Sequence, residues 1–269
     1  MNTRKTVAIG FVLFAAPVVL HFLYEAISGA ASASTSSPFL VPEVTLEFRE
    51  VLDSPSQRRI ATRRVVAYRA DGAFSETVRK FRRNGEEMRT RTLRFPDGRR
   101  VIADDTVRVK STWNPPEAEF ARWRDSAHLN PASQCVSNLR GETAGRTAVR
   151  IEERSGFQAV LIRNTLAPGI ESWHAPALGC LEVGRVMRFA GQSGQESDAS
   201  ELILEQHRLG APDGALFELT GGYDEAGPVE AARRLYTKMN APPVYIERLM
   251  ADPSLKRLAE SYAAANRAR

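Results

Sequence analysis

Residues 58–113 read RRIATRRVVAYRADGAFSETVRKFRRNGEEMRTRTLRFPDGRRVIADDTVRVKSTW, and this stretch decides the fold. Three dipeptides punctuate it: Asp71-Gly72, Asn84-Gly85 and Asp97-Gly98, recurring every 13 residues. That is the period of one strand plus one tight turn. Asp-Gly and Asn-Gly suit turns whose central residues need positive φ. Ile60, Thr62, Arg64, Val66 and Tyr68 fall on one face of a strand, and Ala61, Arg63, Val65, Ala67 and Arg69 on the other. Phe74, Glu76, Val78, Lys80 and Arg82 share a face of the next strand. Strands over 88–95, 99–103 and 106–113 complete a β-meander.

Upstream, Val44, Leu46 and Phe48 alternate with Thr45, Glu47 and Arg49, which predicts a half-buried strand. Downstream, Pro115-Pro116 ends the meander. Residues 117–127 contain no helix breaker and read as a short crossing helix, followed by a loop to Gly145. A second strand-rich block follows over 148–152, 157–164, the hairpin 170–174 with 181–189, and 201–209. Pro228 is a good first helical residue, and Ala231, Leu235 and Met239 form a helical stripe after it. A second helix spans 244–250. Asp252 caps a third, with Pro253 at its first position.

The chain has 269 residues, 43% of them hydrophobic and 26% charged, which is enough to build a core. Its net charge of +5 is unevenly spread. Residues 58–113 hold 16 Lys/Arg against 7 Asp/Glu, and the remainder holds 21 against 25. The positive charge belongs to the meander. Arginines on both faces imply an open sheet, solvated and positive on one side, with long stems lying over apolar surface. Arg79, Arg82, Arg83, Arg89, Arg91 and Arg94 are the candidate contacts to an anionic envelope surface. The plainer reading of the same residues is a solvated face that guards sheet edges against aggregation. Nucleic acid is disfavoured, because no aromatic stacking platform is interleaved with the arginines.

The N-terminus sets the compartment. Arg4 and Lys5 precede an uncharged run from Val7 to Leu20, extended by Phe22, Leu23 and Tyr24. This is an export segment. Either it is cleaved at Ala31-Ser32-Ala33, or it stays as a single transmembrane helix; its length favours the anchor. The bulk would then lie in the bacterial periplasm, tethered to the inner membrane, or else soluble there. The divisions expected are 1–29 anchor or signal, 30–41 linker, 42–223 sheet domain and 224–269 C-terminal helices. In an oxidising compartment Cys135 and Cys180 are candidates for a disulfide; two separate buried thiols are the alternative.

Catalytic and metal chemistry find little support. Ser172 and His174 share a strand face, but no acid or oxyanion donor accompanies them. The four histidines are scattered and no Cys-x-x-Cys occurs. No catalytic residue, metal ligand or cofactor is expected. Trp113, Trp123 and Trp173 either line a ligand cavity or fill the core.

The segment 171–180, ESWHAPALGC, followed by 210–219, GAPDGALFEL, resembles exported bacterial proteins of the lipoprotein-carrier (LolA/LolB-like) fold, which carry a Trp-x-x-Pro-x-Leu-Gly hairpin and end on a Gly-x-Pro-x-x-x-Leu-Phe strand. The resemblance covers roughly Pro42 to Tyr223. It implies an α+β fold: a curved, unclosed antiparallel β-sheet (half-barrel) with helices across its mouth, here with C-terminal helices and an N-terminal transmembrane or signal helix added. The function it implies is a non-enzymatic cell-envelope module that binds a lipid-like ligand or a protein segment in the concavity. The alternative is a membrane-anchored structural or protein-interaction module with no small-molecule ligand. The partners expected are the membrane through the N-terminal helix, a lipid or envelope protein, and the anionic envelope surface.

Overall fold

In the computed structural model, the first described strand, β1 (Val44–Ser54), sits inside a sheet whose two halves meet at it. Described residues are 41–54, 57–82, 85–114, 145–167, 169–188 and 199–267. The export segment, the linker up to residue 40, the crossing helix, Arg83, Trp123 and Cys135 lie outside them.

The first half is the expected meander: β2 (Gln57–Tyr68), β3 (Phe74–Phe81), β4 (Glu87–Arg94), β5 (Arg100–Asp104) and β6 (Val109–Trp113). Each pairs antiparallel with the next. Gly72, Gly85 and Gly98 take φ of 86°, 81° and 84°, the left-handed backbone that the dipeptide spacing demanded. The second half runs inward from the far edge: β7 (Arg146–Arg154), β8 (Phe157–Asn164), β9 (Ile170–Ala175), β10 (Leu181–Arg188) and β11 (Ala199–Leu209). β11 pairs with β1 and joins the halves. The order is β12-β6-β5-β4-β3-β2-β1-β11-β10-β9-β8-β7, so the sheet is unclosed. All pairs are antiparallel except the last, where the two-residue β12 (Asp224–Glu225) runs parallel to β6.

The sheet curls. Arg154 on β7 reaches Glu201 on β11 at 2.5 Å, although three strands separate them. In a flat sheet four interstrand steps would span roughly 19 Å. Register shifts in β1, β7 and β10 mark bulges, which bend strands and add twist. One apolar cluster gathers Val44, Leu46 and Phe48 of β1, Leu202 and Leu204 of β11, Leu161 of β8 and Trp173 of β9. Leu178, in the 3-10 turn Pro176–Leu178 of the Trp-His-Ala-Pro hairpin, is buried in the same cluster.

Two expectations need correction. The strand expected over 106–113 begins only at Val109, because the Asp104 carboxylate accepts from the Thr106 and Val107 N–H groups at 2.8 and 3.2 Å and holds residues 105–108 in the turn. Residues 214–217 form a 3-10 turn, not a closing strand. The Asp213 carboxylate accepts from the Ala215 N–H at 3.0 Å and starts the turn. Phe217 then packs on Ala67 and Ala73.

The tail forms α1 (Pro228–Lys238), α2 (Pro243–Met250) and α3 (Pro253–Asn266), each beginning on its proline. The Asp252 carboxylate caps α3 by accepting from the Ser254 N–H at 2.7 Å. The tail seals the β6 edge. Beyond β12, the Glu225 carboxylate accepts from the Thr112 N–H at 2.8 Å, and the Asn266 amide donates to the Thr112 carbonyl at 2.9 Å. Trp113 packs edge-on against Tyr262 of α3, 5.2 Å between rings. An otherwise open strand edge is thereby covered.

Candidate functional site

Strand register builds the site. Lys80, Thr62, Glu50, Leu202 and Arg185 stand in one cross-strand row over β3, β2, β1, β11 and β10. All five line a single cavity of about 310 Å³. Arg64, Glu76 and Val78 wall it on the meander side, and Met187 and Ser200 on the other. Five consecutive strands each contribute a side chain to this one small volume, so the lining residues share one face of the sheet.

The lining is charged. Arg64 donates to the Glu76 carboxylate. Arg185 grips Glu182 with both arms of its fork, at 2.7 and 2.5 Å. That pairing, ahead of all other effects, raises the Arg185 pKa and fixes its charge. Ser200 donates to Glu50 at 2.5 Å. Lys80 is exposed and makes no ion pair or hydrogen bond among the described residues. The site is a polar trough with three apolar side chains in it, Val78, Met187 and Leu202.

Ser172 continues the same row on β9, opposite Arg185. Its hydroxyl lies 3.0 Å from His174 Nε2. His174 Nδ1 lies 3.0 Å from the Cys180 carbonyl oxygen, which can only accept, so Nδ1 carries the proton and Nε2 accepts from Ser172. The position behind the imidazole is therefore held by a backbone carbonyl, not by a carboxylate that would stabilise an imidazolium. Burial lowers the His174 pKa, which keeps the ring neutral. The arrangement ties the hairpin together.

The described tryptophans are far apart in the sheet. Trp173 is buried in the core cluster, donates from Nε1 to Glu152 and carries the Arg154 guanidinium over its ring at 4.5 Å. Trp113 lies at the β6 end against α3, with Arg100 over it at 5.7 Å. The described cavity is lined by other residues.

The candidate arginines divide between the two faces. Arg79, Arg89 and Arg91 point away from the cavity. Arg79 is bidentate on Glu87 at 2.8 and 2.7 Å, and Arg91 bonds Asp105 at 3.1 Å. The bond to Arg79 is the main reason the Glu87 carboxyl titrates below its usual range. Arg82 pairs with Glu86 across its turn at 3.0 Å. Arg94 lies on the opposite face, over the Phe74 ring at 5.0 Å and across from Arg100. Burial, then the Arg100 charge, pulls its pKa down to about 10. Cys180 is buried, with a left-handed φ of 63°.

Sequence reasoning recognised the faces bearing Arg64, Glu76 and Lys80 but did not connect them with Glu50 or Arg185. Their signal was an isolated charge among the apolar residues of a strand face: Glu50 after Leu46 and Phe48, Arg64 before Val66, and Glu76 and Lys80 around Val78.

No family model and no curated protein matches the chain. Several solved structures are similar to it. The Pseudomonas aeruginosa MucA/MucB complex aligns at TM-score 0.36 and 15% identity, over 80% of this chain and 64% of that one. LprF from Mycobacterium bovis aligns at TM-score 0.32 and 10% identity, over 73% and 97%. A LolA superfamily protein, NE2245 from Nitrosomonas europaea, aligns at TM-score 0.27 and 9% identity, over 66% and 90%. A LolA-superfamily chain thus stands among the similar structures. The chain spans under two thirds of the length of the MucB chain. At these scores none of them carries a function over to this chain.

Proposed function

We propose that the protein is a non-enzymatic binding module of the cell envelope whose concave sheet face takes up an extended, charged protein segment. The observation that carries this reading is the lining of the trough: Glu50, Arg64, Glu76, Lys80 and Arg185 around one cavity of about 310 Å³. An acyl chain placed there would strip water from these ion pairs and from Lys80, which meets no acid among the described residues, and desolvating charge is costly. A polypeptide supplies amides and side-chain charges that satisfy such a lining. Among the described residues no helix is long and apolar enough to cross a membrane. The proposed tether is the uncharged run of Val7 to Leu20, with the bulk of the chain in the periplasm; cleavage after it would leave the module soluble there. In that compartment we also propose a Cys135–Cys180 disulfide, which would tie the loop expected before Gly145 to the β9–β10 hairpin.

The test is mass spectrometry of what the purified protein carries, after solvent extraction and under native conditions. The reading expects no stoichiometric lipid. It also expects peptides selected for binding to lose affinity at least tenfold on Arg185→Glu. A bound lipid at one per protein would replace this reading with the lipid-carrier one.

A further inference from the structure

The outer face of the meander carries a second feature that the trough does not use. Arg49 of β1 stands directly opposite Arg63 of β2, Arg63 opposite Arg79 of β3, and Arg79 opposite Arg89 of β4. Four arginines form one straight row across four consecutive strands. Three of the four alternate along their strands with cavity residues, Arg49 with Glu50, Arg63 with Thr62 and Arg64, and Arg79 with Val78 and Lys80; Arg89, directly opposite Arg79, shares its face. The row therefore lies on the face opposite the trough.

Like charges facing each other across strands destabilise a sheet. Guarding an edge does not explain the row, because β1 to β4 are interior strands and the edges are β12 and β7. The compensating acids stand toward its two ends. Glu205 pairs with Arg49 at 3.2 Å, Glu87 with Arg79 at 2.7 Å, and Glu87 and Asp105 lie 3.6 and 3.7 Å from Arg89. Arg63, in the interior of the row, is exposed and makes no ion pair or hydrogen bond among the described residues.

We infer that this arginine ladder is a binding site for a linear anionic polysaccharide, with Arg63 as its central contact. Guanidinium forks recur about every 4.8 Å, one per strand, on a rigid support. The Arg63 fork, unlike those of Arg49, Arg79 and Arg89, meets no acid among the described residues and can take a carboxylate or sulfate bidentately. A straight row of singly spaced cations suits a polymer bearing one anionic group per monomer. A membrane surface would favour a broader patch with several apolar side chains to insert; of the exposed large apolar residues described, Ile60 alone lies on strands β1 to β4, and the other six lie elsewhere.

Binding of the full chain to polygalacturonate and to heparin, by calorimetry at low and moderate salt, tests the site. Arg63→Glu should weaken binding to both at least tenfold, and Arg63→Lys less, because the point charge survives and the fork does not. Lys256→Glu, the same charge change on exposed α3, should stay within twofold of the parent. Thermal melts of the variants establish that the fold is intact. Equal losses in Arg63→Glu and Lys256→Glu would mean generic charge attraction and overturn the site. So would binding to phosphatidylglycerol vesicles without binding to either polysaccharide, or no binding at low salt. The ladder and the trough lie on opposite faces, so either can fail without the other.

Discussion

Arg154 on edge strand β7 pairs with Glu201 on β11 at 2.5 Å, across three intervening strands, while its guanidinium lies over the Trp173 ring at 4.5 Å. One side chain thus clasps the curl of the sheet from its open end. The pair is roughly one-third exposed, so its charge attraction is worth about 0.5–1 kcal/mol, and the stacking adds a similar amount. Arg154→Ala should cost about 1–2 kcal/mol in urea unfolding. It should also change the emission of Trp173, which loses the cation above its ring. An unchanged midpoint with unchanged emission would show that bulges alone set the curvature.

Much of the meander was legible because turn chemistry is local. Asp71-Gly72, Asn84-Gly85 and Asp97-Gly98 fixed where strands ended, and two-residue alternation fixed which side chains shared a face. The helix starts at Pro228 and Pro253 were legible for the same reason. The trough was not. Glu50 and Leu202 become neighbours only through the pairing of β1 with β11, which joins residues some 150 positions apart. Nothing near Glu50 in sequence specifies that partner. The turn at 214–217 was misread because its apolar Leu216 and Phe217 look like strand residues, whereas the Asp213 carboxylate decides the backbone.

The alkaline limb of stability carries two opposed terms. Burial pushes Tyr68 up to about 12, from an ordinary 10. The unfolded chain gives up this proton first, so the contribution is intact below pH 10 and is lost as pH rises toward 12, up to about 2–3 kcal/mol. Arg94 works the other way. Its folded pKa of about 10 lies below the unfolded one, so the cost of burying its charge is relieved above pH 10. Tyr68→Phe should flatten the decline between pH 10 and 12, and Arg94→Met should steepen it. Denaturant titrations at pH 9, 10, 11 and 12 measure both slopes.

Acid exposes a different pair. The Arg163 and Arg188 guanidinium groups bond Glu171 and hold its carboxyl below the usual carboxylate range, Arg163 first. The sign is that of a depressed acid: the stabilisation is present above the ordinary 4.5 and fades as pH falls below it. A ¹³C titration of the Glu171 carboxyl should have its midpoint below 4.5, and Arg163→Gln should bring it back toward that value.

Asn266 holds the last strand edge shut. Its amide donates to the Thr112 carbonyl at 2.9 Å, and its oxygen accepts from Asn114 at 2.7 Å. Asn266→Ala leaves both partners unsatisfied and should cost about 1–3 kcal/mol. Hydrogen exchange should quicken at β6 and α3 while β1 and β11 keep their protection.

The proposed Cys135–Cys180 bridge predicts no reactive thiol in the denatured, unreduced protein and two after reduction. Cys180→Ser should then lower stability by about 3–4 kcal/mol. Two thiols before reduction would rule the bridge out.

The trough itself is tested most directly by its occupant. Met187 lines it, so p-benzoylphenylalanine placed at Met187 in the full chain puts a photoreactive ketone inside. Irradiation in the cell, followed by mass spectrometry of the adduct, should give a polypeptide crosslink that disappears when Arg185→Glu is added. A lipid adduct at that position, or a polypeptide adduct indifferent to Arg185→Glu, would contradict the account.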